Sequence, residues 1–228
     1  MIYFDSAATT MQKPAAVAKA MSAAAASLAS PGRSSHSAAA DAAELAFNCR
    51  KFAADYFRVP SPENVVFTSN ATHGLNIAIN ALSKRGRRTV ISGYEHNSVY
   101  RPVTASGAEI AVARGALFDQ ASTLNAYNEA LTPGTALCVV NHVSNAFGFI
   151  LPIEKIAELC RERGIPLIID ASQSAGTIPL NFARLGAQFV AMPGHKGLYG
   201  PQGTGLLLCG DSQDVKPLLY GGSGSNSK

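Results

Sequence analysis

The sequence predicts an α/β protein: a mostly parallel sheet with one antiparallel strand and helices on both faces. From residue 64 onward, short β-branched or apolar runs alternate with helical segments: Val65–Thr68, Thr89–Ile91, Ile110–Val112, Leu137–Val140, Leu167–Asp170 and Phe189–Ala191. Strands separated by helices form a parallel sheet covered on both faces, because each connection has to cross back over it. Gly203–Leu208 makes a further strand, reached from Phe189–Ala191 by a loop with no crossover helix, so it must run antiparallel to its neighbour. Before residue 64 the pattern is helical. Seventeen alanines in the first 46 residues make two stretches, about 14–29 and 37–57, around the breaker Ser30-Pro31-Gly32-Arg33. Residues 1–60 are therefore expected to form a helical N-terminal arm, and 61–228 a ligand-binding domain.

Composition narrows the class. The chain has 228 residues, 47% hydrophobic and 15% charged with a net charge of +4, enough apolar material for a real core and far too much for a disordered chain. The positive balance is small and scattered, so no nucleic-acid partner is expected. Lys84, Arg85, Arg87 and Arg88 cluster around Gly86 and read as a solvated helix end and loop. Cys49, Cys138, Cys160 and Cys209 show no metal-ligand spacing and are expected to be buried free thiols in a reducing compartment. Ala15–Ala29 is alanine-dominated and contains Lys19, unlike a secretory signal. No apolar run reaches the roughly 18 residues of a bilayer span, so neither a membrane partner nor an extracellular location is expected, and the chain is read as cytoplasmic. The sequon Asn70-Ala71-Thr72 then carries no glycosylation meaning.

The chemistry lies where polar residues follow strands directly, since ligands of such sheets collect beyond the carboxyl ends of the strands. Ser69-Asn70-Ala71-Thr72-His73 follows the first strand and opens a helix, whose exposed N–H groups and the Thr72 hydroxyl suit a phosphate. A plain N-cap is the alternative. Glu95-His96-Asn97-Ser98 follows the second strand and Asn141-His142-Val143-Ser144-Asn145 the fourth. Asp170 ends the most apolar strand, with Gln173 three residues on; a desolvated carboxylate there needs a cationic or N–H partner, or else caps the next helix. Lys196 sits in Pro193-Gly194-His195-Lys196-Gly197, held by glycines at a strand end, where solvation explains a lysine poorly. One cofactor accounts for these positions together. Pyridoxal 5'-phosphate (PLP) needs a lysine amine for a Schiff base, a carboxylate facing the pyridinium nitrogen, a phosphate cup and a ring-stacking partner, for which the candidates are Lys196, Asp170, Thr72 with its helix N-terminus, and His96.

At these residues the sequence resembles the class V aminotransferases of fold type I, and within them the cysteine desulfurases and their desulfurase-like relatives. The carriers are Tyr3–Thr10, Thr68–Thr72, Glu95–Ser98, Ser144–Gly148, Asp170–Gly176 and Pro193–Lys196. The resemblance implies the PLP-binding large domain of that fold over residues 61–228. It implies Lys196 as the Schiff-base lysine, Asp170 on the pyridine nitrogen, and His96 stacked on the ring. Gln173 and Asn145 would face the phenolate and substrate side, and Ala71, Thr72 and His195 the phosphate. Gly221–Gly224 is similar to a loop that crosses a dimer interface in this family, with Ser223 supplying a hydroxyl to the partner's phosphate; a homodimer is implied.

Two departures stand out. Ser6 occupies a position where Asn is usual, and Pro193 occupies one where many desulfurases place a phosphate-binding Ser. The family's chain also continues into a small C-terminal domain with a sulfur-accepting Cys loop and a carboxylate-binding Arg, expected to be absent here. The implied substrate is an amino acid, cysteine foremost, with alanine leaving after sulfur removal and a sulfur-acceptor protein as a further partner. Selenocysteine lyase, other β-cleavage, transamination and a non-catalytic PLP-binding fragment remain open alternatives, because cofactor residues do not choose among reactions.

Overall fold

A computed structural model describes residues 2–32, 35–210, 215 and 217–219. Within these residues seven strands form one sheet in the order β1-β7-β6-β5-β4-β2-β3. They are β1 (Val65–Thr68), β2 (Arg88–Ser92), β3 (Glu109–Ala113), β4 (Thr135–Asn141), β5 (Leu167–Asp170), β6 (Phe189–Pro193) and β7 (Gly205–Cys209). All pairings are parallel except those of β7, which runs antiparallel to both β6 and β1, as a strand reached without a crossover must.

Among the described residues seven α-helices accompany them: α1 (Ala15–Ser27), α2 (Ser37–Phe57), α3 (Ala71–Leu82), α4 (Asn97–Ala105), α5 (Gln120–Ala130), α6 (Ile153–Glu162) and α7 (Phe182–Leu185). The two-residue period of β4 divides the core. Leu137 and Val139 pack with Leu75 and Ile79 of α3 and Val99 of α4, whereas Cys138 and Val140 pack with Tyr127 of α5, Ile156 of α6 and Phe57 of α2. Both faces are thus buried, which is why β5 is apolar until its last residue. The C-terminal turn of α2 belongs to this core through Ala53, Ala54 and Phe57, while α1 buries no residue among those described.

The expectation of buried thiols needs correcting at two positions, of which Cys209, the last residue of β7, is only partly buried. Cys138 and Cys160 are buried, but Cys49 is exposed, because it shares the outward stripe of α2 with Leu45, Phe52 and Tyr56. All four cysteines are free. Lys84, Arg85 and Arg87 are exposed, and Arg88 pairs with Glu109 at 3.0 Å. No described helix is long and apolar enough to cross a membrane.

Candidate active site

The parallel strands β2, β4, β5 and β6 deliver Ser92, Asn141, Asp170 and Pro193 to one edge of the sheet, and Thr68 of β1 reaches the same edge, opposite Gly205. A cavity of about 460 Å³ opens there. It brings together Ala71, Thr72, His96, Asn145, Asp170, Gln173, His195 and Lys196, all of the predicted site residues except Ser223, which lies outside the described residues.

Each is placed by local chemistry. Asn70 caps α3 by accepting the His73 N–H at 2.8 Å, and no described residue takes the N–H groups of Ala71 and Thr72 at the cavity wall. His96 likewise caps α4, its Nδ1 accepting the Ser98 N–H at 3.1 Å, and it lines the same cavity. Asp170 is 4% exposed and its Oδ1 accepts from the Ser172 N–H at 2.9 Å and from the Ser172 hydroxyl. Burial pushes this carboxyl above the ordinary Asp value, against the Ser172 hydrogen bonds and the charges of His96 and Lys196. Burial pulls the Lys196 amine below its ordinary value, partly offset by the charge of Asp170. The same desolvation, with the cations Lys196 and Lys13 nearby, lowers His195.

The loop bearing Lys196 is clamped on two sides. A Cβ on Gly176, whose φ is +82°, would stand 2.4 Å from the Gly197 carbonyl oxygen, and one on Gly197 would stand 2.4 Å from that of Ala175. On the other side the N-terminal segment folds back: Thr9 Oγ1 donates to the His195 carbonyl at 3.1 Å and Thr10 Oγ1 to that of Lys196 at 2.8 Å. Gln173 Nε2 joins this wall by donating to Ala7 at 2.9 Å. Sequence reasoning gave Lys13 and Glu95 no individual role. Lys13 Nζ donates to the Thr10 carbonyl at 2.8 Å, and Glu95 hydrogen-bonds to the ends of both β2 and β4. Glu95 opens the Glu95-His96-Asn97-Ser98 run, but chain order does not name its spatial neighbours.

The family model for class V aminotransferases matches residues 2–227. The chain belongs to this family. A probable cysteine desulfurase of Methanothermobacter thermautotrophicus is 32% identical over 97% of this chain and 56% of its own length. The apo structure of the cysteine desulfurase from Thermococcus onnurineus NA1 superposes with a TM-score of 0.87 at 32% identity, covering 97% of this chain and 57% of that one. A structure of a C-DES variant with glycine covalently linked to its PLP cofactor matches at 26% identity and a TM-score of 0.82, covering 92% of this chain and 56% of that one. The fold is that of a fold type I PLP enzyme, and the class V family is PLP-dependent. The chain spans between 31% and 56% of the length of the curated relatives it matches.

The cavity fits that cofactor on its own terms. It offers an enclosed carboxyl with no cation in hydrogen-bond contact among the described residues, an amine made easier to deprotonate, and free N–H groups at a helix N-terminus. Pro193, also at the wall, brings neither hydroxyl nor N–H to an anion.

Proposed function

We propose that this chain is the PLP-binding large domain of a cysteine desulfurase-like enzyme. Residues 1–60 form its N-terminal arm and 61–228 the cofactor-binding unit, working in the cytoplasm as a homodimer on cysteine and handing sulfur to an acceptor protein. The observation that carries the reading is the sharing of one strand-end cavity by Lys196 and Asp170, each displaced by burial and each within reach of the other's charge.

Bound PLP supplies a pyridinium ring that withdraws the electron pair released at an amino acid's α-carbon. Lys196 is the amine for its attachment, and the lowered pKa leaves more of Nζ unprotonated near neutral pH, as taking the substrate's α-proton requires. Asp170, oriented through Oδ1 by Ser172, would hold the proton on the ring nitrogen; a cation there answers the desolvation of its carboxylate. His96, held by its cap to α4, would lie against the ring, and Asn145 and Gln173 would address the phenolate and the substrate. The N–H groups of Ala71 and Thr72, the Thr72 hydroxyl and His195 would hold the phosphate; Ser223 is assigned to the partner's phosphate on resemblance alone.

No described residue lining the cavity is a cysteine or an arginine. Sulfur abstraction needs a thiolate at the substrate and a fixed carboxylate, so the 228-residue chain by itself is expected to hold the cofactor without turning over cysteine. The test has two stages. Borohydride reduction of the PLP-reconstituted chain, followed by peptide mapping, is expected to place the pyridoxyl label on Lys196, and a label elsewhere with Lys196 unmodified rejects the assignment. Alanine and sulfide or persulfide are then measured with cysteine beside a free-PLP blank. Sustained release above that blank would show that a thiol outside the described wall, or none at all, does the work.

A further inference from the structure

Glu95 is a largely buried acid without a counter-ion among the described residues. Part of the residue reaches the surface, yet its Oε2 is sealed from solvent and has no hydrogen-bond partner, and the ion pairs found among the described residues, Lys51–Asp55 and Arg88–Glu109, lie elsewhere. Its Oε1 lies 2.6 Å from Ser92 Oγ and accepts the Asn141 N–H at 2.9 Å. Ser92 Oγ in turn accepts the Tyr94 N–H at 3.0 Å and lies 3.0 Å from Asn141 Oδ1.

Counting hydrogens decides the protonation state. The orientation of the Asn141 amide is settled, because its Nδ2 donates at 2.8 Å to the Tyr94 carbonyl, which can only accept; Oδ1 is therefore the atom facing Ser92. Ser92 has one hydroxyl hydrogen. With an ionised Glu95 it would face two acceptors, Glu95 Oε1 and Asn141 Oδ1, and one of two close contacts would hold no hydrogen at all. A proton on Glu95 Oε1 satisfies both: Glu95 donates to Ser92, Ser92 donates to Asn141, and Oε1 keeps a lone pair for the Asn141 N–H. The partnerless Oε2 is also far less costly as a neutral carbonyl oxygen than as half of an unpaired carboxylate.

We propose that Glu95 is a positioning residue acting as a neutral acid, whose hydrogen-bond relay through Ser92 to Asn141 locks the end of β2, and with it the adjacent His96, to the end of β4 beside Asp170. Asn141 is the register partner of Asp170, so the relay reaches both sides of the cavity floor. The charged and titratable groups facing Glu95 agree with neutrality. Asp170 from β5 repels a second negative charge, the Tyr127 phenol of α5 and the Cys138 thiol of β4 offer no positive one, and Arg114, in the neighbouring cleft that Glu95 also lines, forms no ion pair with it. Desolvation correspondingly pushes the Glu95 carboxyl up to about 8.

The test is made on the 228-residue chain with Glu95→Gln and Ser92→Ala. Near pH 7 the infrared difference spectrum between parent and Glu95→Gln is expected to show the carbonyl band of one protonated carboxylic acid in the parent. A carboxylate band in its place overturns the proposal. Ser92→Ala, which keeps the acid and removes its acceptor, is expected to shift that band, and an unshifted band would show that the relay does not exist. If Glu95→Gln does not fold, the parent's own band and its shift in Ser92→Ala decide. For the folded variant, linkage predicts that the unfolding constant of the parent rises against that of Glu95→Gln by up to about tenfold per pH unit between the ordinary Glu value and about 8. A flat ratio also refutes neutrality. The positioning role rests on the PLP reading and has its own readout: raising pH through about 8 is expected to weaken PLP binding by the parent more than by Glu95→Gln. Equal pH dependence removes the positioning role, whereas absence of PLP binding in both proteins at every pH fails the cofactor reading and leaves the infrared result standing.

Discussion

Gly176→Ala and Gly203→Ala form a matched pair that measures how tightly the Lys196 loop is held. Both glycines have φ of +82°, so both substitutions incur the left-handed backbone penalty of about 1–2 kcal/mol. Their surroundings differ. A Cβ at Gly203 meets no atom of the described residues within 4 Å, whereas one at Gly176 stands 2.4 Å from the Gly197 oxygen and 2.6 Å from its carbonyl carbon, backbone atoms next to Lys196. Overpacking of this kind adds about 1–3 kcal/mol, giving a total of about 2–5 kcal/mol at Gly176 against about 1–2 at Gly203. For a chain of this size each kcal/mol moves Tm by roughly 2–4 °C. Scanning calorimetry is therefore expected to show a clearly larger drop for Gly176→Ala, and pyridoxyl labelling of Lys196 is expected to fall in that variant alone. If the two variants lost equal stability and labelled Lys196 equally, the contact between Gly176 and Gly197 would be soft, and the clamp argument would fail.

Two further outcomes follow from the titrating groups. Because burial raises Asp170, the stabilisation its proton provides is complete below the ordinary Asp value and disappears as pH rises to the raised folded value. The stability of the parent relative to Asp170→Asn should decline across that window, and a constant difference in Tm would show that Asp170 is ionised throughout; with PLP bound, Asp170→Asn is also expected to slow exchange of a substrate α-proton. Because burial lowers Lys196, limiting acylation near neutral pH should modify its amine early and Lys196→Ala should remove that early site, whereas an unmodified Lys196 after extensive labelling would contradict a lowered, reachable amine.

The parts of the fold that were legible in sequence are those governed by local period. Val65–Thr68 and Leu167–Asp170 lie where the apolar runs put them, and α2 spans the helical pattern, because a strand buried on both faces or a helix with one apolar stripe writes its environment into consecutive residues. The direction of β7 was legible from connection length. Its insertion between β6 and β1 was not, since nothing in Gly205–Cys209 names two neighbours. Cys49 shows the same limit: its helix was legible, but the side of α2 that meets the sheet depends on which stripe packs, and Leu45, Phe52 and Tyr56 advertise an apolar face that the described core does not cover.

The site divides along the same line. Strand ends point to one edge, so Thr72, His96, Asn145, Asp170 and Lys196 could be assigned to a common cavity without knowing any distance. What chain order cannot supply is protonation. Asp170 and Glu95 are both acids at strand ends, yet Asp170 feels Lys196 and His96 across the cavity, whereas Glu95 meets a serine, a backbone N–H and the repulsion of Asp170 itself. Residue type alone would ionise both. The difference arises from three strands meeting, β2 bringing Ser92, β4 bringing Asn141 and β5 bringing Asp170, and from one hydroxyl hydrogen shared between two oxygens that can both accept it. A substitution at Asn141 or Ser92 should therefore shift the infrared carbonyl band of Glu95, a residue it leaves intact and neutral, and that shift is where the loss of the relay would be seen.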